Sequence, residues 1–99
     1  MKSYPLLIMT ADRLVFEGEI ISLIVPAGLG YMGVLAGHVP LVSTLTPGTI
    51  TIRKDSHSPV QTIRVKDSGF LEITRKDVTL LLKTVEEESP FEVAPVNLS

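Results

Sequence analysis

Thr49-Ile50-Thr51-Ile52-Arg53 and Gln61-Thr62-Ile63-Arg64-Val65-Lys66 are two runs of alternating polar and apolar residues, separated by the polar segment 54–59. Alternation with a period of two places the apolar side chains on one face of a β-strand. The serines, aspartate and proline between the runs are typical of a hairpin loop. This stretch therefore predicts a half-buried hairpin with Ile63 and Val65 facing inward.

The rest of the chain repeats this pattern of short runs and turns. Further short strands are predicted at residues 6–9, 14–16, 20–25, 70–74 and 78–84, while residues 41–45 are too short and β-branched for a helix. Glu17-Gly18 is expected to stop the second of these, and Pro26 the third. Turn signals recur at roughly 8–12 residues, a spacing typical of all-β sandwiches and barrels. We therefore expect an all-β protein, a flattened β-sandwich or barrel of about eight to ten short strands.

Composition narrows the class of function. The chain has 99 residues, 44% of them hydrophobic and 20% charged, which is typical of one globular domain. A net charge of −2 without a basic cluster argues against nucleic acid as a partner. The lack of cysteine excludes a disulfide framework, thiolate zinc ligands and a cysteine nucleophile. No apolar run reaches the roughly 18 residues of a membrane span, and no leader is recognisable, so a soluble intracellular chain is expected.

A glycine-rich stretch occupies residues 27–40 and contains four of the seven glycines. Such a backbone can adopt positive φ angles and approach another surface closely, so the stretch predicts a shaped, exposed loop. Gly28, Gly30 and Gly33 match G-x-G-x-x-G, but a dinucleotide site needs a helix opening at the third glycine. Gly37 and Pro40 leave no room for that helix, so nucleotide binding here is not expected.

Few residues could carry catalysis. His38 has no partner at metal-ligand or triad spacing, and His57 lies in the predicted hairpin loop. Glu17 and Glu19 flank a predicted turn, and residues 86–88 are a run of three glutamates, so both groups are interpreted as solvated surface. We expect no catalytic residues, no metal site and no cofactor.

Three separated segments resemble the epsilon subunit of F-type ATP synthases. Residues 30–41, Gly-Tyr-Met-Gly-Val-Leu-Ala-Gly-His-Val-Pro-Leu, are followed by Leu-Thr-Pro-Gly at 45–48, as in that family's signature. Residues 10–19 resemble its opening hairpin, and residues 68–73 with 78–81 resemble its closing strands. The similarity runs in order from about Leu6 to about Glu88 and implies a flattened β-sandwich, in agreement with the strand pattern.

The resemblance implies a non-catalytic rotor subunit that links the central-stalk gamma subunit to the membrane c-ring. Residues implied to contact gamma are His38, Val39, Pro40, Leu41 and Val42. Residues implied to contact the c-ring are Leu29, Gly30, Tyr31 and Met32. Gly28, Gly33, Gly37, Gly48 and Gly69 are expected to be structural glycines. The implied location is peripheral, on the cytoplasmic face of a bacterial inner membrane, with a plastid stromal homologue as the alternative.

Two features depart from the family. Relatives commonly carry glutamate where this chain has Tyr31, which suggests a more apolar contact with the c-ring. Large apolar side chains at a loop tip are typical of interfaces. Equally, one or two of Leu29, Tyr31 and Met32 could fold back onto the sandwich.

The second departure concerns the end of the chain. Residues 1–87 are expected to form the sandwich domain, and residues 88–99 a short tail with two prolines in place of the family's helical hairpin. Nucleotide binding by that hairpin, and inhibition through it, are therefore not expected. The alternative function is a stand-alone β-sandwich module that binds a peptide or small ligand through residues 28–40.

Overall fold

The chain folds as two packed antiparallel-rich β-sheets. A computed structural model describes residues 2–88 and contains no helix within them. The strands are β1 (Tyr4–Met9), β2 (Leu14–Ile20), β3 (Ser22–Ala27), β4 (Gly30–Leu35), β5 (Leu41–Leu45), β6 (Gly48–Arg53), β7 (Gln61–Val65), β8 (Gly69–Ile73), β9 (Val78–Leu82) and β10 (Val85–Glu88). The predicted all-β sandwich is confirmed.

Each sheet has five strands. The first sheet, sheet A, has the order β2-β1-β9-β8-β5, and the second, sheet B, has the order β10-β7-β6-β3-β4. All pairs are antiparallel except β1 with β9, which joins the beginning of the chain to strands from its last third. The predicted hairpin of β6 and β7 is present, with Ile50 opposite Ile63.

The core lies between the sheets and is built mainly from alternate residues of β1, β3 and β6–β9. It is aliphatic apart from one tyrosine, and its largest fully buried side chains include Leu6, Ile8, Ile20, Leu23, Leu45, Ile50, Ile52, Ile63, Leu71 and Leu80. Burying one such side chain contributes about 1.5–3 kcal/mol relative to leaving it exposed. The sandwich is therefore held mainly by contacts between residues far apart in sequence.

Tyr4 fastens the two sheets together at one end of the core. Its hydroxyl donates a 2.6 Å hydrogen bond to the carbonyl oxygen of Val34, which connects β1 in sheet A to β4 in sheet B. Burial disfavours the phenolate and raises the pKa of Tyr4 to about 12. The hydroxyl therefore stays protonated and able to donate over the ordinary pH range.

The structure corrects three details of the strand assignment. The expected 27–40 loop is wrong in its middle, because Gly30–Leu35 is strand β4 and pairs along its full length with β3. The expected stop at Glu17-Gly18 is also wrong. Glu17 and Glu19 lie opposite Leu7 and Pro5 on the outer face of sheet A, so their charge fits a continuous half-exposed strand.

The third correction concerns Pro26, which lies inside β3 and does not end it. In addition, a tenth strand, Val85–Glu88, pairs with β7 and was not predicted from the glutamate run. Glu88 belongs to that strand, whereas the rest of the predicted tail, residues 89–99, lies outside the described residues. Within residues 2–88, no helix is long and apolar enough to cross a membrane.

Candidate functional site

The β3–β4 hairpin presents the predicted contact residues. Its last cross-strand pair is Ala27 with Gly30, so Gly28 and Leu29 form a two-residue loop. Gly28 has φ of +61°, the left-handed conformation that the first position of a type II′ hairpin loop requires. Leu29 is 109% exposed relative to its reference state. The tip is therefore a short loop on a paired hairpin, carrying one leucine fully in solvent.

Tyr31 lies on the outer face of sheet B and not at the loop tip. Its hydroxyl accepts a 3.2 Å hydrogen bond from the backbone amide of Thr49 in β6. The ring thus crosses the sheet beside Pro26 and Gly48, while 61% of the residue stays exposed. Of the two alternatives left open by the sequence, Tyr31 adopts the folded-back one.

The four residues predicted to meet the c-ring do not share one surface. Tyr31 faces outward from sheet B, whereas its neighbour Met32 is half-buried and packs against the core. Gly30 is exposed, and a Cβ added there would meet no atom within 4 Å. Because side chains alternate along a strand, Leu29 and Tyr31 are the large side chains left for an external partner.

A second exposed segment follows β4. The amide of His38 donates to the carbonyl of Leu35 at 3.1 Å, and Gly37 has φ of +86° in the turn between them. Nδ1 of His38 lies 2.8 Å from the carbonyl oxygen of Val39. Since a carbonyl oxygen can only accept a hydrogen bond, Nδ1 carries the proton and donates it. The His38 ring thus stabilises the loop that contains it.

Of the residues predicted to contact gamma, three are open to solvent. Val39 and Pro40 are exposed in the loop, and Val42 is 71% exposed on the outer face of sheet A. Leu41 is half-buried and packs against the core, so it anchors the neighbouring exposed residues to the sandwich.

The predicted structural glycines fall into two groups. A Cβ on Gly48 would lie 2.7 Å from Pro26 Cβ, and one on Gly69 would lie 2.5 Å from the carbonyl oxygen of Leu81. Gly28 and Gly37 have positive φ angles. Gly33 has neither property, because its φ is not positive and a Cβ there would meet no atom within 4 Å.

Sequence reasoning missed an apolar patch on the outer face of sheet A. Phe70 in β8 pairs with Leu81 in β9, and both are exposed beside a shallow groove that also includes Ala11 and Lys83. Val42 lies on the same outward face, one strand away. The sequence contains a signal for this patch, because Phe70 lies between Gly69 and Leu71, which face the core. Period-two alternation along this strand places Phe70 on the outer face.

The residues considered for catalysis stay apart. His57 lies in the β6–β7 loop, where the Asp55 carboxylate accepts hydrogen bonds from the amides of His57 and Ser58 at 2.8 and 2.7 Å. These amide hydrogen bonds hold the pKa of Asp55 below its usual range. Residues 2–88 contain no cluster of three or more histidines or carboxylates arranged to hold a metal ion.

Comparison with known proteins places this architecture in a family. Residues 3–88 match the model of the ATP synthase delta/epsilon chain β-sandwich domain. The chain belongs to the ATP synthase delta/epsilon family. The resemblance to the epsilon subunit inferred from residues 30–48 is thereby confirmed, and the match covers both the hairpin tip and the 36–42 segment.

Curated relatives agree with this family assignment. The chain is 33% identical over 94 residues to the ATP synthase epsilon chain of Leptospira interrogans, covering 93% of this chain and 72% of the relative. It is 31% identical over 78 residues to the epsilon chain of Dichelobacter nodosus, covering 79% of this chain. It spans about half the length of that relative, 53%.

A solved structure shares the fold. One chain of the Euglena gracilis mitochondrial ATP synthase, a cryo-EM structure of OSCP, F1 and c-ring, superposes with a TM-score of 0.77 at 20% identity. The superposition covers 86% of this chain and 53% of that one.

Proposed function

We propose that this chain is a non-catalytic central-stalk subunit of an F-type ATP synthase, linking the gamma subunit to the c-ring. It would help couple ion translocation to ATP synthesis, while the catalytic sites lie on other subunits. Membership of the delta/epsilon family over residues 3–88 supports the proposal. Two solved structures that share its fold come from an F1/c-ring assembly and from a central stalk/c-ring assembly.

One geometric observation carries the proposal. The hairpin tip and the 36–42 segment lie at opposite ends of the same strand, β4. Six strand residues span about 20 Å. A paired β-strand therefore separates two exposed apolar surfaces, as a subunit that bridges two partners requires.

Each surface then has one partner. Leu29 at the tip would meet the c-ring, together with the exposed side of Tyr31. Val39, Pro40 and Val42 would meet gamma. The subunit would be peripheral, on the cytoplasmic face of a bacterial inner membrane, and reach the bilayer only through the c-ring.

Binding measured separately with purified gamma and with purified c-ring tests this arrangement. Leu29→Asp should weaken binding to the c-ring by about tenfold or more and leave gamma binding unchanged. Val39→Asp should do the reverse. Leu14→Asp is the matched control, since Leu14 is an exposed leucine at the edge of the sandwich formed by β2.

Other outcomes would favour the alternative. If the chain binds neither gamma nor the c-ring, the family fold is present without the rotor role. A stand-alone module would instead bind a peptide or small ligand near residues 28–40. Near those residues the structure has a shallow depression lined by Pro26, Leu29, Tyr31 and Pro47 and a smaller one that includes Leu35 and His38.

Tyr31 tests the apolar character of the contact. Tyr31→Glu introduces the glutamate that the family resemblance implies at this position, and it removes both the ring and its hydrogen bond to Thr49. We expect weaker c-ring binding by the variant. Tighter binding would show that the contact is polar.

A further inference from the structure

Strand β4 has an open edge. It is the last strand of sheet B, and its only hydrogen-bonded neighbour among the described strands is β3. An edge strand presents a row of unpaired backbone amides and carbonyls that can pair with another chain.

The hydrogen bond between Thr46 and Pro26 establishes which backbone groups of β4 point outward. The Pro26 carbonyl accepts a hydrogen bond from the amide of Thr46, so it points away from β4. In an antiparallel ladder the direction alternates with each residue. Pro26 is opposite Tyr31, so Tyr31 is a non-hydrogen-bonded position of the β3–β4 ladder.

The open edge therefore carries the amides and carbonyls of alternate β4 residues, Tyr31, Gly33 and Leu35. Within residues 2–88, the only further backbone bond to these groups is that from His38 to the Leu35 carbonyl. The placement of Pro26 fits the same alternation, because its missing N–H falls on the side away from β4.

This edge lacks the protection that the other edges have. The β2 edge carries Glu17 and Glu19 and a register irregularity beside Met9, and β10 contains three glutamates. Strand β5 is uncharged, but it is only five residues long and lies between Pro40 and Pro47. In contrast, β4 has no charged residue, no proline and an unbroken register with β3. Charges, prolines and bulges are the features that ordinarily block edge pairing.

We infer that β4 pairs antiparallel with β4 of a second copy of this chain, about a two-fold axis at Gly33. Gly33 then lies opposite Gly33 of the second copy, and Tyr31 lies opposite Leu35. These are the positions whose backbone groups point outward, so each facing pair exchanges hydrogen bonds. The two five-stranded B sheets become one continuous sheet of ten strands.

The strand is self-complementary in this register. Tyr31 and Leu35 are both exposed on the outer face, so the register places two uncharged residues opposite each other in two symmetric pairs. The Tyr31 ring keeps its position over β3, with its hydroxyl on the Thr49 amide. No charge opposes another charge across the seam. At its centre, the two Gly33 residues place no side chain on the outer face, where a Cβ would meet no atom of its own chain within 4 Å.

The dimer would occupy residues that the rotor proposal assigns to the c-ring. Tyr31 lies in the seam, so self-pairing and full contact with the rotor would exclude each other. The self-pairing itself rests only on β4 and does not depend on the rotor role, so each can be tested without the other.

Sedimentation velocity of the purified full-length chain, across a concentration series, tests the pairing. We expect a monomer–dimer equilibrium. Gly33→Lys should reduce the association constant by about tenfold or more, because two ammonium groups would face each other across the axis. Thr51→Lys is the matched control, since Thr51 lies opposite Ile24 on the same face but two strands in from the edge. A monomer at every concentration up to about 1 mM would overturn the inference.

Cysteine cross-linking identifies the register. The chain has no native cysteine, so a single Gly33→Cys variant can form a disulfide only between copies. Facing positions in such a ladder have Cα atoms about 5.5 Å apart, within disulfide range. Gly33→Cys should cross-link at least tenfold faster than Val42→Cys, which places an exposed thiol on β5. Equal rates, or a dimer unaffected by Gly33→Lys, would show that another surface mediates association.

Discussion

The absence of a side chain at Gly48 provides the space that the Tyr31 hydroxyl occupies. A Cβ on Gly48 would lie 2.8 Å from the Tyr31 hydroxyl oxygen and 2.7 Å from Pro26 Cβ. The same hydroxyl accepts the amide hydrogen of Thr49, the residue that follows Gly48. The pairing of β6 with β3 ends at Thr51, opposite Ile24, so Thr49 lies beyond the paired residues. The tyrosine hydroxyl thus replaces a missing strand partner.

Gly48→Ala should destabilise the protein by about 1–3 kcal/mol, because the new methyl group overlaps two fixed neighbours. The midpoint of urea unfolding measures this loss. Gly33→Ala is the control, since a Cβ there meets no atom within 4 Å. An unchanged midpoint for Gly48→Ala would mean that Tyr31 and Pro26 move aside without cost.

Tyr31→Phe should cost about 0.5–1.5 kcal/mol, the net value of one hydrogen bond. Hydrogen exchange offers a local measurement, because the Thr49 amide loses its acceptor and should exchange faster. Leu29→Ala, at the exposed tip, should leave the free energy of unfolding unchanged. Unaltered exchange at Thr49 in Tyr31→Phe would contradict the assigned contact.

Gly69→Ala should destabilise more than Gly48→Ala. Its methyl group would approach the backbone oxygen of Leu81 at 2.5 Å and a methyl carbon of Leu82 at 2.9 Å. A backbone oxygen held in the β8–β9 ladder cannot rotate away as a side chain can. We expect a loss of roughly 2–4 kcal/mol or a failure to fold, read from urea unfolding. The reverse order of the two variants would show that β8 shifts readily against β9.

Tyr4 should make stability depend on alkaline pH. Its pKa is raised from 10.0 to about 12 by burial, so the folded chain holds this proton more tightly than the unfolded chain does. The contribution is complete below pH 10 and is lost as pH rises toward 12. Thermal unfolding from pH 9 to 12 measures the decline, which should be shallower in Tyr4→Phe. A decline of equal slope in the variant would assign it to other groups.

Much of the fold could be predicted from local pattern alone. The β6–β7 hairpin alternates strictly and has a polar loop, so its strands and inward residues followed directly from the sequence. The stretch 27–40 could not be interpreted in the same way. Glycine at 30, 33 and 37 removes the alternating side chains that would indicate a strand, and Gly30–Leu35 becomes one only by pairing with β3.

The sequence by itself determined the all-β class, the family and the absence of a cysteine-based site, because each depends on residue types and their local order. The tertiary structure alone decided that Leu29 is fully exposed while the Tyr31 ring lies across sheet B. It also placed Phe70, Leu81 and Val42 on one outer face of sheet A. It further decided that, among the strands of residues 2–88, β4 is an edge strand of sheet B. These relationships join residues distant in sequence through strand pairing, and local preference carries no information about which strands become neighbours.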